Sequence, residues 1–239
     1  MSIQGFDDWL ATTQGQYVLA WEQAKYDLLV ADIFGFNALQ LGLVRLDFLT
    51  ANRMPFKFRC DDAAGAGIAV RASGWQLPFA SGSLDLVLLP HVLEFDPQPH
   101  RILREVERVL VPEGQVIVSG FNPYSLWGLR RKFARREAMP PWRGQYLSVQ
   151  RLKDWFALLS FETQAGSFGC YAPPVANDLQ RWRLLELAGN RWWPIAGATY
   201  IIRAIKRVHG MRLITPVWHQ QPARAKALAP LTQRNGHER

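Results

Sequence analysis

The segment from Ser81 to Ser119 constrains this chain more than any other. Leu84-Asp85-Leu86-Val87-Leu88-Leu89 is a short, β-compatible apolar run, bounded by Ser81-Gly82-Ser83 before it and Pro90 after it. Residues 99–111 then place Ile102, Leu103, Val106, Val109 and Leu110 on one face of an amphipathic helix. Pro112-Glu113-Gly114 turns the chain into Gln115-Val116-Ile117-Val118-Ser119, a second strand of buried type. Strand, helix, turn and strand make a βαβ unit, which implies a parallel sheet joined by a right-handed crossover. An α/β fold is the expectation.

The flanking sequence extends that sheet. Residues 6–33 read as helical, and Ala38–Leu41 is a short apolar strand running into Gly42. Residues 43–54 have the spacing of a helix, stopped by Pro55. Phe56–Cys60 alternates as a strand and ends at Asp61-Asp62, and Ile68–Val70 is a third strand. Further on, residues 147–160 read as a helix behind a Ser148 cap. Strands over 161–168 and 198–205 follow, separated by a helical stretch over 179–187. No internal repeat is present. The expected organisation is one domain over 1–218: N-terminal helices to residue 34, a core over 35–123, and a basic insert with the final strands over 124–218. A disordered basic tail over 219–239 completes it.

Charge separates these parts. The chain of 239 residues is 49% hydrophobic, enough for a real core, and carries a net +8. Residues 1–122 hold 9 basic against 14 acidic side chains, so the remainder carries +13. Arg130, Arg131, Lys132, Arg135 and Arg136 surround Leu126, Trp127, Leu129 and Phe133, and Arg191-Trp192-Trp193-Pro194 lies further on. That pattern has three readings: a solvated helix face, a phosphate-binding surface, or a segment lying on an anionic membrane. Cys60 and Cys170 are too few for a disulfide framework or a cysteine-rich metal site, and no metal site is expected. The start, MSIQGFDDWL, lacks the pattern of a secretory leader, and no run is long and apolar enough to span a membrane, so a cytoplasmic setting is expected.

The string Leu77-Pro78-Phe79, a polar turn, then Leu84-Asp85-Leu86-Val87 resembles the type-11 class I methyltransferases. The likeness continues through Val92-Leu93-Glu94, Leu103-Arg104-Glu105-Val106 and Arg108-Val109-Leu110-Val111-Pro112-Glu113-Gly114. The resemblance implies a Rossmann-like, mostly parallel seven-stranded sheet with helices on both faces and an antiparallel last strand. It also implies S-adenosylmethionine as cofactor and methyl transfer as the reaction. The acceptor expected is a small molecule or a lipid-like substrate, with a nucleic-acid methyltransferase or a decayed binding protein as alternatives. Too few residues separate Asp62 from Ile68 for the second helix of the core, which is expected to be trimmed.

By the same resemblance, Gln40, Gly42, Asp61, Ser73, Gly74 and Trp75 surround the cofactor. Gln40 stands where the family has an acid, and Val44 and Leu46 stand where it has glycines. Asp61 is placed to hold the ribose hydroxyls, Ser73 occupies the adenine-binding position, and Trp75 offers a ring for stacking. His91 lies just beyond the strand ending at Leu89, which suits either a general base facing the acceptor or a structural imidazole. Asn122 and Tyr124 are candidates for the substrate pocket, or simply close the turn after the strand.

Overall fold

The structure is a computed structural model and describes residues 5–63, 67–133, 140–174, 189, 191 and 193–208. Its centre is a seven-stranded sheet built from β1 (Asn37–Leu41), β2 (Phe56–Asp61), β3 (Val70–Arg71), β4 (Leu84–Pro90), β5 (Leu110–Phe121), β6 (Phe161–Gly169) and β7 (Thr199–Lys206), in the order β3-β2-β1-β4-β5-β7-β6. The pairs through β5 are parallel, while β7 runs antiparallel to both β5 and β6. The βαβ unit is therefore present, and the antiparallel finish is formed by β7 inserted between β5 and β6.

Both faces of the sheet are covered. On one, Val87, Leu89, Val116 and Val118 pack with Ile102, Leu103 and Val106 of α3 (Pro99–Val109) and with Leu152 and Phe156 of α5 (Val149–Leu158). On the other, Leu86, Leu88, Ile117 and Phe121 meet Phe6 and Trp9 of α1 (Phe6–Leu10) and Val18, Tyr26 and Val30 of α2 (Thr13–Ala31). Successive residues of β4 thus enter opposite cores, which is why its sequence shows no polar alternation. α4 (Leu126–Phe133) follows β5 at the carboxyl ends of the parallel strands.

Three expectations change. The helix over 6–33 is two helices, because the Thr12 hydroxyl accepts the Gly15 N–H at 3.1 Å and starts α2 afresh. Residues 43–54 form turns instead of a helix. There, Leu49 N–H donates to the Asp47 carboxylate and the Thr50 hydroxyl to the Asp47 carbonyl, local bonds that compete with a helical ladder. The turn expected at 112–114 lies inside β5, where Glu113 takes a φ of 65° and the register with β4 slips between Leu84 and Leu86. The Ser148 cap of α5 is present, accepting Arg151 N–H at 3.2 Å. The helix expected at 179–187 and the tail at 219–239 lie outside the described residues.

Candidate functional site

The carboxyl ends of β1, β2 and β3 bring together most of the residues expected around a cofactor. β1 leaves the sheet at Gly42, whose φ of 78° suits glycine and whose N–H donates to the Cys60 carbonyl at 2.9 Å. A Cβ there would lie 2.9 Å from Val92 Cγ2, so the loop after β4 passes close against this turn. Asp61 ends β2 beside it, nearly buried, with Oδ1 accepting the Asp62 N–H at 2.7 Å. The Asp61 carbonyl accepts the Ala72 N–H, which carries the chain into a tight turn over Ser73-Gly74-Trp75-Gln76. A Cβ on Gly74 would sit 3.1 Å from Leu41 Cδ2, so that turn lies directly on the end of β1. Trp75 is partly exposed, with the Arg101 guanidinium 5.5 Å from its ring centroid.

The motif residues around Leu77 hold this turn in place. Glu105 on α3 accepts the Leu77 N–H at 2.8 Å, and Arg108 donates to the Leu77 carbonyl at 3.1 Å and to the Ser81 hydroxyl at 3.2 Å. Arg108 also bonds the Glu105 carboxylate and holds it below the usual carboxylate range. The strings that carry the family resemblance are thus a fastening between α3 and the loop leading into β4.

Gln40 has a different role from the one expected. Its buried amide donates to the carbonyls of Gly42, Leu43 and Leu46 and accepts the Phe48 N–H at 3.0 Å. All its polar atoms are engaged with backbone, so it shapes the loop after β1 and does not face a ligand. Leu43 and Val44 are buried in that loop, and the segment presents no helix N-terminus toward Gly42.

His91 also departs from its expected part. The ring is 1% exposed, between Phe6 and Phe121 at centroid distances of 5.3 and 4.5 Å. Nε2 is 2.8 Å from Glu22 of α2, and Nδ1 makes a short contact with Glu94. Burial opposes charge on the ring, but the two carboxylates outweigh it and hold its pKa up to about 10. Both ring nitrogens are thus engaged by carboxylates, and a general base needs a free lone pair. Glu94 Oε2 accepts the Phe121 N–H at 2.8 Å, so the triad ties α2, the loop after β4 and the end of β5 together.

Asn122 is likewise structural. Its amide donates to the carbonyls of Ile195 and Gly197 at 2.6 and 2.9 Å and accepts the Tyr124 N–H at 3.0 Å, clasping the 193–197 turn to the end of β5. Tyr124 stands on the surface. Among the described residues no group of three or more His, Cys, Asp or Glu side chains is arranged to hold a metal ion. Sequence reasoning missed Glu22. Its signal is an acid within the stripe Val18, Glu22, Tyr26 and Val30, which one helix face carries into the core.

The strand order 3-2-1-4-5-7-6 agrees with what comparison finds. Residues 49–118 match the family described as "Methyltransferase domain". Over that stretch the chain is similar to methyltransferase domains. It is 34% identical over 131 residues to YafS of Escherichia coli (strain K12), covering 54% of each chain. It is 36% identical over 94 residues to an uncharacterized methyltransferase of Mycobacterium sp. (strain JLS), covering 39% of this chain and 36% of that one. The chain thus matches about half the length of the first relative and about a third of the second. Among solved structures, a SAM-dependent methyltransferase from Archaeoglobus fulgidus superposes with a TM-score of 0.56 at 16% identity, covering 78% of this chain and 94% of that one. The geranyl diphosphate C-methyltransferase of Streptomyces coelicolor A3(2), solved with S-adenosyl-L-homocysteine, gives 0.53 at 13% identity and 80% coverage of both. These two likenesses establish the methyltransferase fold.

Set against S-adenosylmethionine, the residues of this domain fit its nucleoside end. A nearly buried carboxylate at the end of β2 and a close turn at Ser73–Trp75 adjoin the positive-φ Gly42. The methionine end would meet a loop fastened by Gln40 where a helix N-terminus was expected.

Proposed function

We propose that this chain is an S-adenosylmethionine-dependent methyltransferase acting on a small-molecule or lipid-like acceptor. One observation carries the reading: Gly42, Asp61 and the Ser73–Trp75 turn lie side by side at the carboxyl ends of β1–β3, the rim where open α/β sheets bind ligands. The cofactor supplies a methyl group on a sulfonium. Asp61 would hold the ribose hydroxyls, the Ser73–Trp75 turn the adenine, and the Gly42 backbone the adjoining methionine portion. Rate enhancement then comes chiefly from alignment, since a bound acceptor held in line no longer loses translational freedom on reaction.

The acceptor side lies beyond His91, between α1, α2 and the end of β5. Trp9 Nε1 and Tyr146 Oη are buried there without a hydrogen-bond partner among the described residues, and the rings of both pack on Phe121. Two donors in an aromatic setting suit a largely apolar molecule with a polar reacting end. His91 does not take the acceptor's proton in this reading; with Glu22 and Glu94 it fixes the wall between the two sides.

Calorimetry with S-adenosylmethionine tests the proposal. We expect saturable binding, weakened roughly 10- to 100-fold in Asp61→Ala, as loss of a charge-assisted hydrogen bond predicts. The turn-built segment after β1 favours one second reading, a fold that no longer binds the cofactor. Absence of heat from well-folded protein decides for it.

A further inference from the structure

The surface beyond the end of β5 has a composition that the cofactor site does not explain. Leu126, Leu129 and Phe133 follow one another at spacings of three and four along α4, so they share a face. That face is open: Phe133 is 82% exposed, and both leucines are about half exposed. The opposite side of the helix is firmly seated, with Trp127 buried and its Nε1 donating to the Ala172 carbonyl at 2.9 Å. Tyr124, 74% exposed, precedes the helix. The Asn122 clasp brings the 193–197 turn to the end of β5, where Trp193 and Ile195 are about two-thirds exposed. Aliphatic and aromatic side chains are thus exposed both on α4 and on the turn clasped to the end of β5, where α4 begins.

Beside these side chains the described charges of α4 are basic. Arg130, Arg131 and Lys132 lie on the same helix, and no acidic residue occurs between Glu113 and Glu137. Arg191 is exposed two residues before Trp193, and Arg143 is exposed beside Gly144, whose carbonyl Arg131 bonds. We propose that α4, Tyr124 and the Trp193–Ile195 turn form a docking surface for an anionic lipid bilayer, with the apolar side chains entering the headgroup boundary and the basic ones remaining among the phosphates. Tyr and Trp favour that boundary because each has an apolar body and a polar tip, while Arg and Lys keep their charge in water as their stems lie on apolar surface.

The contacts favour lipid over nucleic acid. Arg130 donates to the Pro174 carbonyl at 2.5 Å and lies 4.5 Å from the Trp142 centroid, and Arg131 bonds the Gly144 carbonyl and lies 5.2 Å from the Tyr146 centroid. Both guanidiniums are thus partly committed to the protein and ill-placed to clamp individual phosphates, whereas attraction to a charged bilayer needs only their charge near its surface. Leu126 and Leu129 offer no π-face to a base, but each gains by leaving water for an acyl boundary. Docking on this surface does not depend on cofactor binding.

The experiment is flotation of the full chain with vesicles of equimolar phosphatidylglycerol and phosphatidylcholine, beside vesicles of phosphatidylcholine alone. Flotation is expected with the anionic vesicles, reduced by salt and by pure phosphatidylcholine. The variant L126S/L129S/F133S keeps every basic side chain of the chain, including those after residue 208, and should partition at least about tenfold less. Its circular dichroism and melting should match the parent, because all three side chains are half or more exposed. A second variant, R130Q/K132Q, should lose most of the preference for anionic vesicles. Absence of flotation overturns the proposal, as does undiminished flotation of the triple variant. So does retention on single-stranded RNA that the triple variant preserves while neither protein floats.

Discussion

At the scale of single residues, the most consequential finding is a histidine that cannot act as a base. The Glu22–His91–Glu94 contacts stabilise the charged ring, and the linkage has a definite sign. A pKa of about 10 in the folded state stands above the unfolded value near 6.5, so the stabilisation is complete below that lower value and is lost as pH rises toward 10. We therefore expect unfolding free energy, measured by urea denaturation, to fall across the window from about pH 6.5 to 10. In H91N/E22Q/E94Q, which removes the ring together with the two carboxylates buried against it, that fall should disappear. Asn suits the substitution because position 91 has a φ of 54°, a left-handed conformation that asparagine adopts more readily than most residues. An unchanged slope in the variant would show that other groups set it. The sequence held half of this answer. His91 at the strand end was visible as a candidate, but its two partners come from positions 22 and 94, and only folding shows that both carboxylates reach one ring.

At the scale of elements, legibility followed how local the determining contacts are. β4, α3 and the end of β5 were readable because apolar spacing and flanking turn residues act within a dozen positions. The turn segment after β1 was not, although its apolar residues have helical spacing. Gln40, in the strand just before it, engages three of its carbonyls and one N–H, and Leu43 takes a φ of 45°, so local side-chain-to-backbone bonds that apolar spacing does not register override the periodic pattern. The same logic separates the rim residues: Gly42 and Asp61 are legible as strand ends, while the backbone bonds of Gln40 show only in the folded loop. Gln40→Leu should therefore act through the loop. Leaving the buried Phe48 N–H and the facing carbonyls unmet costs about 1–3 kcal/mol each where water cannot reach them. Urea denaturation should show destabilisation of at least that size. Hydrogen exchange should rise at residues 42–48 before it rises in α3, and equal protection in both proteins would remove Gln40 from this role.

At the scale of the whole molecule, the cofactor reading makes a claim about stability that no single contact makes. The proposed ligand touches the ends of β1, β2 and the turn after β3, segments from one edge of the sheet whose loops are short of regular structure. Anything that binds the folded chain and not the unfolded one stabilises it by mass action, about 2.7 kcal/mol when the free ligand stands at a hundred times its dissociation constant. For a chain of this size each kcal/mol moves the melting point by roughly 2–4 °C, so saturating S-adenosylmethionine should raise it by roughly 5–10 °C. The demethylated product shares the nucleoside end and should act similarly. Asp61→Ala should lose most of the shift at the same ligand concentration, whereas L126S/L129S/F133S should keep it, because its substitutions lie on a different surface. A shift retained in Asp61→Ala would mean that the ligand binds elsewhere on the sheet, and the ribose assignment would fall while the fold assignment stood.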